Sequence, residues 1–115
     1  MRRRVLAVLA VLGVLGVLPS DAADWQEVDR LIEEFKLREA AQRLDELLPR
    51  IRDGGDEEEL TRALIRGSQL RAASSEPGEA VRFLQGQEWP QGHRQRAVLS
   101  LFLAEALKKD RKSVV

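Results

Sequence analysis

Apolar residues fall into two kinds of pattern along this chain. From Val5 to Leu18 they form an almost unbroken run, VLAVLAVLGVLGVL, directly after Met1-Arg2-Arg3-Arg4. From Asp24 onward they recur at spacings of three and four, the signature of amphipathic helix. Trp25, Val28, Leu31, Ile32 and Phe35 predict a first helix over about 24–36. Asp24 is its expected N-cap, and Glu27 completes a capping box. Leu37, Ala40, Ala41, Leu44, Leu47, Leu48 and Ile51 predict a second helix over 37–52. Pro49 removes a backbone donor there, but Ile51 stays in phase, so a kink rather than a stop is expected. Asp53-Gly54-Gly55 ends the helix.

Asp56 is placed to cap a third helix, with Glu57, Glu58 and Glu59 complementing the dipole in its first turn. That acidic run reads as a solvated helix start, and the spacing of a calcium loop is absent. Leu60, Ala63, Leu64, Gly67 and Leu70 form the stripe, to about Ala73. Gly67 costs about 1 kcal/mol against Ala in mid-helix, and would permit close approach of a neighbouring helix. Pro77 suits the first position of a short fourth helix, which carries Ala80, Val81, Phe83 and Leu84 and ends near Gly86. Trp89-Pro90 opens the next turn, and a fifth helix is expected from about Gln91 to Lys109.

The predicted fold is therefore all-α, about five helices arranged as antiparallel hairpins in a tetratricopeptide-like right-handed array or a small bundle. A weak repeat supports hairpins. Glu39-Ala40-Ala41-Gln42-Arg43-Leu44 resembles Glu79-Ala80-Val81-Arg82-Phe83-Leu84, and Val28-Asp29-Arg30-Leu31-Ile32 resembles Leu60-Thr61-Arg62-Ala63-Leu64-Ile65. The regular 34-residue period of tetratricopeptide repeats is lacking.

Arg96 to Lys109, RAVLSLFLAEALKK, is the most apolar stretch after the leading run. Burying Val98, Leu99, Leu101, Phe102, Leu103 and Leu107 would contribute on the order of 9–18 kcal/mol as an upper bound. That makes it the expected core helix. Four preceding helices cover only part of it, however. Its remaining side, drawn from Leu99, Leu103 and Leu107, is the expected docking face for a protein partner or a missing C-terminal segment.

The leading run has a different purpose. A basic start, a 14-residue apolar core and the small residues of Pro19-Ser20-Asp21-Ala22 are the parts of a secretory signal. Fourteen helical residues span roughly 21 Å, short of the roughly 30 Å hydrocarbon core of a bilayer. Residues 1–22 are thus expected to be a signal peptide cleaved after Ala22, and residues 23–115 a helical-hairpin domain in the periplasm or outside the cell. No stable membrane anchor is expected after cleavage.

Charge and composition narrow the function. Lys plus Arg and Asp plus Glu are each 19. Without residues 1–22, which hold Arg2, Arg3, Arg4 and Asp21, 16 basic residues face 18 acidic ones, a net charge of about −2. No basic excess drives phosphate binding, so no nucleic-acid partner is expected. The lack of Cys excludes disulfides, thiolate metal sites, a thiol nucleophile and a lipoprotein anchor. His93 is the single histidine, expected at the solvated start of the fifth helix, so a triad or zinc site has little to build on. The acidic pairs Glu33-Glu34 and Asp45-Glu46 lie on polar faces, away from the burial that raises a carboxyl pKa. Gly54-Gly55 lacks the Lys-Ser/Thr and the strand of a phosphate loop. Lys108, Lys109, Arg111 and Lys112 read as a solvated helix end. Trp25 and Trp89 are expected to cover the edges of a small core, with interface anchoring as the alternative. No catalytic residue, metal or cofactor is expected, and the chain reads as a non-enzyme.

Trp25-Gln-Glu-Val-Asp-Arg-Leu-Ile-Glu-Glu, the following REAAQRLDELLPRIRDGGD, and EELTRALIRGSQLRA together resemble the N-terminal helical segment of large bacterial alpha-2-macroglobulin-like exported proteins. The resemblance covers roughly residues 24–109. It implies a signal peptide followed by tetratricopeptide-like helices, with macroglobulin β-sandwich domains later. The protease-trapping thioester of such proteins needs a Cys that is absent here, so no functional residue carries over. The expected function is an exported, non-catalytic helical interaction or scaffold module. The alternative is the leading segment of a protease-trapping protein of that kind, with no independent activity.

Overall fold

A computed structural model describes residues 17–114 of the chain. They form five helices: α1 Val17–Glu33, α2 Leu37–Gly54, α3 Glu57–Ser74, α4 Pro77–Gly86 and α5 His93–Val114. No strand occurs among the described residues, and the fold is all-α. Most of the expected signal segment, residues 1–22, lies outside the described residues.

The first helix differs most from the periodicity reading. Asp24 lies inside α1 and caps nothing. Its carboxylate instead accepts hydrogen bonds from Arg43, at 2.8 Å, and from Arg50, both on α2. The helix also stops at Glu33, so Phe35 leaves the apolar stripe and is 86% exposed. The turn that stops it is a Schellman motif. Lys36 N–H donates to Leu31 O at 2.8 Å and Phe35 N–H to Ile32 O at 2.9 Å, with Phe35 at φ 61°. That left-handed position is normally held by glycine, because a Cβ crowds the carbonyl there.

The next three helices follow the pattern closely. Ala40, Ala41, Leu44, Leu47, Leu48 and Ile51 are all buried along α2. The helix continues through Pro49, which lies on its exposed side, and runs on to a left-handed Gly55. Asp56 accepts from Glu58 N–H at 3.0 Å and Glu59 N–H at 3.2 Å and so caps α3 as expected. Pro77 opens α4. Gly67 serves a contact between helices: a Cβ there would lie 2.7 Å from Phe83 Cζ and 2.9 Å from Phe83 Cε2. The ring on α4 fills the space that a side chain on α3 would need.

Loops of two to six residues force neighbouring helices antiparallel. Each helix packs on the next, and α3 packs on α5 as well. Side chains extend the second of these relations to α1, where Trp25 Nε1 donates to Glu59 of α3 at 2.9 Å and Arg62 lies 4.6 Å over the indole ring. The result is two layers, α1, α3 and α5 in one, α2 and α4 in the other.

The core sits among α2, α3 and α4 rather than around α5. Leu44, Leu64 and Leu84 are fully buried, as is Val28 of α1. Among the described residues α5 adds one buried apolar side chain, Leu99 at 0% exposure, with Phe102 and Leu103 partly covered. Leu101 is 68% exposed and Leu107 39%. Two expectations are corrected here. The fifth helix is not the centre of the core, and Leu99 does not belong to an outward face. It points into the seam with α3 and α4, while Leu101, two residues on, points away. A helix lying against two neighbours buries one arc of its circumference, and the rest faces solvent however apolar it is.

Candidate interaction surface

The α5 helix is positioned by its start. Glu57, in the first turn of α3, accepts from Gln91 N–H and Gly92 N–H, both at 3.0 Å. A carboxylate from one helix thereby satisfies free amides at the head of another and complements its dipole. The helix begins at His93, two residues later than the periodicity suggested. Trp89 secures the approach to it: Nε1 donates to Leu84 O at 2.9 Å, and Arg96 lies 5.6 Å from the ring centroid. Both tryptophans pack partly buried against the core.

Held in this way, α3 and α5 leave an open groove of about 320 Å³ between them. Ile65 and Val98 supply apolar surface to it, and Arg62, Arg66 and Arg94 line it with Glu58. The arginines are distinguished by what they lack. Elsewhere Arg30 pairs with Glu27 and Glu34, Arg43 with Asp24 and Glu46, Arg50 with Asp24, Arg71 with Asp45, and Arg82 with Glu79. Arg38, Arg52 and Arg96 donate to the carbonyls of Ser74, Glu88 and Pro90. Arg62, Arg66 and Arg94 make no hydrogen bond or ion pair among the described residues, and Arg62 only stacks on Trp25. Arg62 and Arg66 fall outside the stripe of Leu60, Ala63, Leu64, Gly67 and Leu70, and periodicity says no more of them. It could not show that Arg94 joins them across a groove, or that no carboxylate answers them.

The second surface is the outward face of α5. Ala97, Leu101, Ala104 and Leu107 are exposed along it. It shares only Leu107 with the outward face expected from the sequence.

His93 is exposed at the head of α5. No group of three or more His, Cys, Asp or Glu side chains is placed to hold a metal ion among the described residues. Asp45 accepts from Arg71 at 2.6 Å, and Glu46 from Arg43 at 2.8 Å. The hydrogen bond from Arg30, followed by that from Lys36, holds the Glu34 carboxyl below its ordinary range, the opposite of what a proton donor at neutral pH needs. No described helix is long and apolar enough to cross a membrane. No protein-family model, curated protein or solved structure matches the chain.

Proposed function

We propose that this protein is an exported, non-catalytic interaction module, a short array of helical hairpins that docks a helix of a partner protein on the outward face of α5. The observation that carries the reading is the 68% exposure of Leu101 on a helix whose opposite side is packed. α5 packs on α3 and α4, and the partner covers the side that those two helices leave exposed. Ala97 and Ala104 lie a turn to either side of Leu101, and small residues there let a second helix approach closely.

Burial supports the hairpin repeat. Ala40, Ala41 and Leu44 are 0%, 7% and 0% exposed, and the matching Ala80, Val81 and Leu84 are 1%, 7% and 0%. The two segments serve their hairpins in the same way, as the covering helix. Export rests on the signal-like start, and mass spectrometry of the secreted or periplasmic fraction should find a chain beginning at Ala23.

The test of docking is a photo-crosslinking amino acid placed at Leu101 and, as a control, at exposed Gln42 on α2, in cells expressing the protein. A discrete adduct is expected from Leu101 and not from Gln42, and adding Leu107→Glu should abolish it. Adducts from both positions alike, or from neither, would reject the reading.

A further inference from the structure

Three arginines with no carboxylate or carbonyl partner among the described residues converge on one groove. A guanidinium ordinarily finds a carboxylate or carbonyl where one is in reach, since hydrogen bonds between ionised groups are the strong ones. The other arginines from Arg30 to Arg96 follow that rule. Arg62, Arg66 and Arg94 depart from it together, beside the apolar surface of Ile65 and Val98.

We infer that the groove between α3 and α5 binds an acidic peptide segment, its carboxylates on Arg62, Arg66 and Arg94 and an apolar side chain on Ile65 and Val98. The inference rests on the interaction-module reading but uses a different surface from the α5 outward face. Charge complementarity selects the partner's sign. Three guanidiniums face one lining carboxylate, Glu58, so the site is locally positive although the chain beyond residue 22 carries about −2. Arginine also suits the task because its planar donor fork meets a carboxylate bidentately.

The shape selects a peptide over an acyl chain. At about 320 Å³ the groove is at the small end of ligand sites, and it is open to solvent rather than enclosed. A fatty tail lying there would keep much of its surface in water. A peptide places one apolar side chain on the floor and leaves its backbone hydrated. A long polyanion is disfavoured by the overall negative charge, which repels it at range.

The test uses the purified protein and a fluorescein-labelled peptide alternating glutamate and leucine. Peptides alternating glutamine and leucine, or lysine and leucine, serve as controls. Anisotropy should show saturable binding of the glutamate peptide that weakens with added salt, at least tenfold tighter than either control. NMR of the labelled protein should place the shift changes at Ile65 and Val98. Arg66→Glu with Arg94→Glu should weaken binding at least tenfold. Arg66→Lys with Arg94→Lys should retain part of it. The melting profile should hold in both, because neither arginine has a native partner to lose. Leu101→Glu should leave peptide binding intact, which separates failure of the groove from failure of the α5 face. No binding of the glutamate peptide, equal binding of the glutamine peptide, or unchanged binding by the charge-reversed variant would overturn the inference. So would vesicles of phosphatidylglycerol binding through the same arginines while the peptide does not.

Discussion

Phe35 and Gly67 each occupy a position that local propensity alone would give to another residue type. Phe35 occupies a left-handed C-terminal turn at φ 61°, with its ring 86% exposed. Both features oppose stability, since the backbone carries strain of about 1–2 kcal/mol and the ring gains no burial. Phe35→Gly is expected to raise stability by about 1 kcal/mol, tempered by the greater freedom of glycine in the unfolded chain. For a domain of this size that corresponds to roughly 4–8 °C in a calorimetric scan. A fall in melting temperature would show that the ring makes a stabilising contact. Gly67 is the reverse case, a poor helix former kept by Phe83. Gly67→Ala should cost about 1–3 kcal/mol by overpacking, despite better helix propensity. The companion change Phe83→Leu, which shortens the opposing side chain, should recover part of that loss in chemical denaturation. Composition hinted at Gly67, which stood out inside a helical stripe. Nothing local marked Phe35, which read as one more apolar residue in phase.

At the scale of elements, caps were legible where donor and acceptor are close in sequence. Asp56 and the amides of Glu58 and Glu59 are such a case. The cap on α5 was not, because Glu57 reaches amides more than thirty residues away. Glu57→Gln removes its charge but keeps the shape. It should cost about 0.5–2 kcal/mol, the range of a lost cap. Hydrogen exchange should show the larger effect in the first turn of α5, where two amides lose their acceptor charge, and a smaller one in the first turn of α3. A uniform rise in exchange along α3 would mean that Glu57 acts through its own helix instead. Pro49 illustrates the opposite limit of local reasoning. Its missing donor matters less than the burial of Leu47, Leu48 and Ile51 around it, and the helix continues.

For the whole molecule, the distinction that matters lies within α5. Leu99 and Leu101 are near neighbours of identical chemistry, one at 0% exposure and the other at 68%. Leu99→Ala should cost about 2–5 kcal/mol, while Leu101→Ala should stay within about 0.5 kcal/mol. Urea unfolding of both variants decides it, and comparable losses would mean that α5 is packed differently. A sequence apolar around most of a helix could not rank these positions. Only the placement of α3 and α4 selects the arc that is buried.

Periodicity at three and four determined the all-α class, the stripes of α2 and α3, and most turns, because those depend on residues within one turn of each other. Proline and glycine marked the boundaries of α2, α3 and α4 for the same reason. Tertiary structure decided the rest. It moved Asp24 from a cap to a partner of Arg43 and Arg50, moved the core from α5 to α2–α4, and brought Arg62, Arg66 and Arg94 around one groove. Charges and exposed faces acquire meaning from what lies across from them, and that is a distance through space which spacing along the chain does not encode.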